Sequence, residues 1–420
     1  MHHKNEFKNG LRIITEKLES TKAVTVLLLA GAGSRYEHKE ISGISHFLEH
    51  MFFKGAKKYK NAREVSEAID GVGGEFNAFT GKEYAGYYVK VASENIERAM
   101  DVISDMLMHA RFETAEINKE RGVIMEEYNM YQDTPMYQIG WDFEKLVFGD
   151  QPLGWDQVGT PAFIKSVTQK QFQDYKGALY SPDNMVLTLA GDISDKKGLE
   201  LAENYFKFGN EKKEFEFEPY KKHDGKDRVY LHSKKTEQAH LVIGGQSNNE
   251  MHKDHWAEKI LSIILGGNMS SRMFMSVREA RGLCYYIHTS TDNFKDTGIF
   301  STGAGIQVSR IDEAVKAILA EYEKIRADRV PESELEKAVN FMKGKLVLGL
   351  EDSEEYAHLL GKYELLHGRV MRPEQILKEV EKVTVDDIHR VASQILAPEN
   401  LKIGVIGPYD EKARFEKLLK

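Results

Sequence analysis

Two similar α+β domains in tandem are what this sequence predicts, on three observations. A chain of 420 residues is long for one hydrophobic core, and roughly 150 residues per domain implies two or three domains. The stretch from Val167 to Gly191, VTQKQFQDYKGALYSPDNMVLTLAG, lies without a gap on Val383 to Gly407, VTVDDIHRVASQILAPENLKIGVIG, at an offset of 216 residues. Val, Thr, Pro, Asn and Gly are identical, and each copy reads as a Thr-capped helix, a Pro-x-Asn turn and a strand. Between the copies, Phe208 to Lys226 is charged and lacks apolar periodicity, as a linker should. The expected division is therefore 1–210, a linker at 211–227, and 228–420.

Taken in order, Phe7 to Thr15 opens a strand or hairpin, because Asn9-Gly10 suits a type I′ turn. Val24 to Ala30 is a short, wholly apolar run and reads as a buried strand. Ser42 to Lys54 and Ala62 to Ile69 carry helical spacing, the second ending at the glycines around Gly71. Glu75 to Val91, rich in aromatic and β-branched residues, reads as a strand pair. Ile96 to His109 is amphipathic, with Ala99, Val102, Ile103, Met106 and Leu107 on one stripe. Glu113 to Gln132 is a long helix that stops before Pro135.

Composition excludes several classes. A formal charge of -8 argues against nucleic-acid binding, although an acidic cavity would attract a basic peptide. One cysteine, Cys284, rules out an internal disulfide framework and suits a reducing compartment. No apolar run approaches the length of a membrane span, and the first ten residues lack the apolar core of a signal peptide. A soluble, cytoplasmic protein is expected, with His2 and His3 a flexible surface end rather than ligands.

The chemistry is concentrated in Gly43 to Gly55, GISHFLEHMFFKG. On a helix, His46, Glu49 and His50 share a face. Two imidazoles one turn apart can both reach a metal ion. The carboxylate between them then faces the open coordination position, where it can take a proton from water. His-x-x-Glu-His is the inverse of the thermolysin-type order. Phe47, Leu48, Met51, Phe52 and Phe53 make the helix apolar nearly all round, so the polar trio should be enclosed and in need of partners. A third ligand is required, and Glu120, Glu126 and Glu127 on the long helix are the candidates; spacing alone does not choose among them. Two histidines, a carboxylate and a water suit zinc better than other divalent metals.

With both stretches in view, the chain resembles the pitrilysin/insulinase family of zinc metallopeptidases, in particular its mitochondrial-processing-peptidase-like branch of short, two-domain members. The resemblance spans nearly the whole chain. It implies two homologous domains, each a mainly antiparallel sheet of about five to six strands with helices packed on one face, the two halves forming a clamshell on dimerisation. It makes His46, His50 and Glu127 the ligands of one Zn2+ per chain and Glu49 the general base, with Glu120 beside the site in a possible orienting role. Gly74 to Thr80 resembles the family's edge strand, where Asn77, Ala78, Phe79 and Thr80 would pair with an extended peptide. Leu265 to Tyr285 resembles the second-domain signature, in which Arg278 and Tyr285 hold the substrate and Tyr285 stabilises the oxyanion. The implied activity is hydrolysis of short or unfolded peptides in a chamber, by a homodimer in which each copy's second domain completes the other's site. The alternatives are a non-catalytic scaffold of a processing peptidase, or an active subunit that needs a different partner chain. The second half keeps no His-x-x-Glu-His, and His252-Lys-Asp-His255 reads as a polar helix start.

Overall fold

The computed structural model describes residues 2–223 and 225–420; Met1, and Asp224 inside the expected linker, lie outside the described residues. Two compact units are built, and neither is continuous in sequence. One comprises Met1–Tyr128, Asp156–Glu218 and Val347–Arg372, the other Asn129–Trp155, Pro219–Leu346 and Pro373–Lys420.

The first unit is organised on a six-stranded sheet: β1 (His3–Glu6), β2 (Arg12–Lys17), β3 (Ala23–Ala30), β4 (Glu75–Thr80), β5 (Ala85–Ala92) and β6 (Met185–Gly191), in the order β1-β2-β6-β3-β5-β4. Only β2 and β6 run parallel. A turn over Phe7–Gly10 closes β1 onto β2; Gly10 has φ +98° but Asn9 has no positive φ, so the turn is not the expected type I′. His3, expected at a flexible end, instead pairs with Thr15 as the first residue of β1. β4 is an edge strand, hydrogen-bonded to β5 alone.

The second unit holds β7 (Val229–Ser233), β8 (Gln238–Ser247), β9 (Cys284–Asn293), β10 (Gly298–Gln307) and β11 (Lys402–Gly407), ordered β7-β11-β8-β10-β9, with β7 and β11 parallel. The internal repeat is visible in both units. Thr168 and Thr384 each close a capping box on the following helix, Gln169–Leu179 and Val385–Ile395. A Pro-x-Asn turn then leads into β6 or β11, each pairing in parallel with an early strand of its own sheet. Mixed five- and six-stranded sheets with packed helices fulfil the expected α+β class.

Two helices depart from the consecutive 1–210 and 228–420 division. Pro135–Phe148, from the first half of the sequence, packs in the second unit, where Ile139, Phe143 and Phe148 join Val242, Ile299 and Ile406. Ser353–His367, from the second half, packs in the first unit on β3 and β6, placing Ala357 with Leu27, Leu29 and Ala190, and Leu360 with Ile14 and Val186. Its close approach requires a glycine: a Cβ at Gly361 would lie 2.7 Å from Thr188 Oγ1 and 3.0 Å from Leu29 Cδ1. The residues it covers alternate along β3 with those facing the other side, so helices cover a second face of this sheet as well.

The expected linker is not loose. Phe215 and Phe217, two residues apart, both reach Tyr36, at ring distances of 6.5 and 5.2 Å, and Arg35 lies 3.9 Å over Phe217. Tyr220 then packs on Phe148. Only two aromatics carry the period-two signal inside a charged run, which is why it reads as linker.

Each buried leucine contributes about 2 kcal/mol, so the sheet face under Ser353–His367 should not tolerate exposure. A fragment ending at Glu218 is expected to be insoluble when produced alone and to be recovered on co-expression with 219–420. A monodisperse 1–218 fragment on gel filtration would contradict this.

Candidate metal centre and active site

Nine residues, Ile44–Phe52, form the helix that carries the motif (the metal helix), and every one of them is buried except His46, Glu49 and His50, which are partly open. Its apolar residues drive it into the first unit: Phe47 packs edge-on against Phe172 at 5.1 Å and Phe52 against Tyr87 at 5.1 Å and Tyr180 at 5.2 Å. Burial therefore selects which strip of the helix faces outward.

The helix start has no cap of its own, since Gly43 precedes it at φ +103°. Glu37 supplies one from a distance, accepting from Gly43 N at 2.7 Å and Ser45 N at 2.9 Å. Ser45 Oγ shares a hydrogen bond with Tyr175 OH at 2.7 Å, and Tyr175 donates to Gly33 O. Burial pushes the Glu37 carboxyl up to about 7, against the amides that stabilise its charged form. A carboxyl at a helix N-terminus satisfies orphan amides and favours the dipole.

The partner helix is Thr114–Asp133. Ile117, Glu120, Ile124 and Glu127 recur at three- and four-residue steps, so two glutamates stand in an otherwise apolar seam, while Glu126 is exposed. The open choice among the three carboxylates resolves accordingly. Glu127 Oε1 lies 3.4 Å from His46 Nε2, and its Oε2 lies 3.4 Å from His50 Nε2. Glu120 Oε1 accepts from His50 Nδ1 at 2.9 Å, and its Oε2 meets Lys54 Nζ at 2.6 Å. That bond keeps a proton on Nδ1, so Nε2, which faces Glu127, is the nitrogen that would give up its proton to take a metal ion. Glu120 thus acts on His50 rather than on the open face.

The three side chains fit a metal ion. Among the described residues, His46, His50 and Glu127 are the one such group, each offering an atom within 4.8 Å of the others. The 3.4 Å contacts are long for charge-assisted hydrogen bonds, but they match the roughly 3.3–3.4 Å edge of a tetrahedron with bonds of about 2.0–2.1 Å. Electrostatics agree. Burial opposes a charge on His50, yet its bonds to Glu120 and Glu127 outweigh that and carry its pKa up to about 9. Both carboxyls, against their burial, are held below the usual range by these contacts, with Lys54 assisting at Glu120. Three carboxyls (Glu49, Glu120 and Glu127) converge here with one ammonium, an acidic surplus that a dication offsets.

Glu49 projects from the same strip and accepts a hydrogen bond from Thr80 Oγ1 at 2.5 Å. Thr80 is the last residue of β4, so the edge strand adjoins the metal cluster. Strand alternation divides the four expected edge residues. Thr80 and Ala78 share the face of Phe76, whose ring stands 5.8 Å from Phe53. Phe79 faces away and packs against Tyr84 and His358, with Asn77 on that side too.

Arg278 and Tyr285 belong to the second unit, apart in sequence and in unit from the metal cluster. The structure brings the two together: the Arg278 guanidinium lies 4.5 Å over Phe274 and 5.8 Å over Tyr285. Tyr285 is 75% exposed, so it presents its hydroxyl outward rather than serving the core. His255 opens the helix His255–Gly266, and no metal-type cluster forms there among the described residues.

Residues 12–145 match the family described as insulinase (peptidase family M16), and residues 166–342 match the domain described as peptidase M16 inactive domain. The chain belongs to peptidase family M16. An uncharacterized zinc protease of Streptomyces coelicolor is 35% identical, covering 96% of this chain and 89% of its own, and YmxG, an uncharacterized zinc protease of Bacillus subtilis, is 34% identical over 96% and 97%. The same fold is found in a protease from Helicobacter pylori, with TM-score 0.90 and 23% identity over 97% and 99% of the two chains. A peptidase M16 inactive domain from Pseudomonas fluorescens matches with TM-score 0.90 and 16% identity over 98% and 99%.

Two contributors escaped the sequence. Glu37 sits in a polar loop, SRYEHKE, where nothing separates a buried cap from a solvated charge. Lys54 lies inside the motif stretch, but its partner, Glu120, is far along the chain on another helix.

Outer partners of metal ligands change affinity by about 10–100-fold. Glu120→Ala is expected to weaken zinc binding by that factor in a competition with a chromogenic chelator, with the circular-dichroism spectrum unchanged. An affinity equal to wild type would remove Glu120 from the centre.

Proposed function

We propose that this M16 protein is a zinc-dependent endopeptidase that hydrolyses short or unfolded peptides. The observation that carries the reading is the convergence of His46, His50 and Glu127 beside the Glu49 carboxylate, which meets the end of an edge strand at Thr80. Zinc held by the three ligands supplies a Lewis acid that polarises a peptide carbonyl and acidifies water.

The remaining work falls to the chain. β4 offers main-chain donors and acceptors to an extended peptide, giving affinity with loose sequence preference and excluding folded substrates. Glu49 accepts the proton of the attacking water and returns it to the leaving amine. The Tyr285 hydroxyl donates to the oxyanion that develops on the carbonyl oxygen, and Arg278 holds a neighbouring substrate carbonyl. Because Arg278 and Tyr285 stand in the second unit and Tyr285 is exposed, the proposal assigns them to the active site of a second copy. The assembly is then a homodimer enclosing its substrate, with one zinc per chain. A purely structural subunit has no use for the complete set of three ligands and base, which supports the peptidase reading over the scaffold alternative. Among the described residues no helix is long and apolar enough to cross a membrane.

Loss of a general base costs about 10²–10⁴-fold. Glu49→Gln should lower turnover of a mixed peptide library by at least a hundredfold while keeping one zinc per chain. Mixing Glu49→Gln chains with Tyr285→Phe chains should restore activity through the one intact site of each mixed dimer. Stoichiometric zinc without cleavage in the wild-type homodimer would end the peptidase reading; no restoration in a verified mixed dimer would end the exchange of Arg278 and Tyr285.

A further inference from the structure

The loop Asp156–Gly159 touches both sides of the site, yet none of its residues belongs to the metal set. At one end its backbone lies against the start of the metal helix. A Cβ on Gly43 would come within 2.6 Å of Val158 O, and one on Gly159 within 2.2 Å of Ser42 O. Both glycines have positive φ, +103° and +84°, so this contact requires glycine on each side.

At the other end, Gln157 Nε2 donates to Thr80 O at 2.7 Å. Thr80 donates in turn from its hydroxyl to Glu49 Oε2 at 2.5 Å, and Glu49 is on the metal helix. The contacts therefore close a ring that runs from the metal helix through the loop and the end of β4 back to the metal helix. One oxygen of the Glu49 carboxylate is engaged by Thr80, and the other is left for a proton.

We propose that Thr80 and Gln157 are positioning residues for the general base. Thr80 sets the orientation of the Glu49 carboxylate, and Gln157, anchored beside the first turn of the metal helix, sets the place of Thr80. Glutamate has three free torsions. A base restricted in advance is within reach of its proton when the substrate arrives, which is where preorganisation acts on the rate rather than on affinity. Thr80 thereby has a role beyond lending main chain to a peptide. The inference rests on Glu49 acting as base.

The test uses full-length, zinc-loaded protein with Thr80→Val, Thr80→Ser and Gln157→Leu, singly and with the first and last combined. Thr80→Val should lower kcat about 10–100-fold at full zinc content with KM little changed, and Thr80→Ser should recover most of it. Gln157→Leu should lower kcat less and add little to Thr80→Val, because it acts through Thr80. Two readouts do not need turnover. Affinity for a peptide hydroxamate, whose hydroxyl donates to a carboxylate at the position of Glu49, should fall in Thr80→Val and hold in Thr80→Ser. Amide hydrogen exchange across residues 75–85 should quicken in Gln157→Leu. A rise in KM alone, loss of zinc, additive effects, or hydroxamate affinity and exchange equal to wild type would overturn the proposal. A zinc-replete wild type that cleaves nothing refutes the peptidase reading instead, and the hydroxamate and exchange results still decide the ring of contacts.

Discussion

The rotation of one short helix is the constraint on which the site depends. If Ile44–Phe52 turned by a third of a revolution, His46 and His50 would face the core and Glu127 would face a phenylalanine. A nine-residue helix has no stability of its own in water, so its setting must come from its surroundings. Phe47 against Phe172 and Phe52 against Tyr87 and Tyr180 fix the buried side. Glu37 on the amides of Gly43 and Ser45 fixes the start and limits sliding along the axis. Hydrophobic contact is non-directional; the directional bonds at the helix start and at Ser45 convert a buried helix into an oriented one.

Orientation then makes the electrostatics possible. Burying carboxyls and imidazoles together is costly unless each has partners. Here the partners form a sequence, Lys54 to Glu120 to His50 to Glu127 to His46. In it each carboxyl lies between cationic or donor groups, and the imidazole Nε2 atoms converge on Glu127. His46 Nδ1 is buried without a hydrogen-bond partner among the described residues, so packing and the Nε2 side alone hold that ring. The two histidines are therefore unequal: Glu120 fixes the tautomer of His50, and no corresponding carboxyl does so for His46.

Much of this was legible in the sequence, for identifiable reasons. The trio His46, Glu49, His50 is local, set by helical spacing, and the apolar residues between them announced enclosure. The repeat was legible because capping boxes and Pro-x-Asn turns are local devices with fixed residue types. Spacing alone left Glu120, Glu126 and Glu127 open, since a helix in isolation does not say which stripe meets which neighbour; the resemblance named Glu127, and the seam with Ile117 and Ile124 supplies the physical reason. What stayed hidden was non-local. Ser353–His367 and Pro135–Phe148 look like ordinary helices, and nothing in their own residues says that each covers a sheet drawn from the other half of the chain. Glu37, Gln157 and the hydroxyl of Thr80 act across 6 to 77 residues through contacts that have no periodicity.

The second unit repeats one joint of the unit that holds the metal-type cluster. In the second unit the helix His255–Gly266 also precedes the edge hairpin, and it also carries a carboxyl, Glu258, hydrogen-bonded by the last residue of the edge strand. Asn293 Nδ2 donates to Glu258 Oε1 at 3.0 Å, as Thr80 does to Glu49, and Asn293 pairs with Gly298 across the hairpin as Thr80 pairs with Ala85. Glu258, however, is fully buried and takes further bonds from Asn248 N and Nδ2. Its carboxyl is saturated by donors and has no access to solvent, so it works only as a fastening between helix and hairpin. Glu49 makes the same fastening with a single side-chain donor and stays partly open beside two imidazoles. A joint common to both sheets is left incompletely satisfied in one of them: the Glu49 oxygen without a donor is the one that the proposed base role uses.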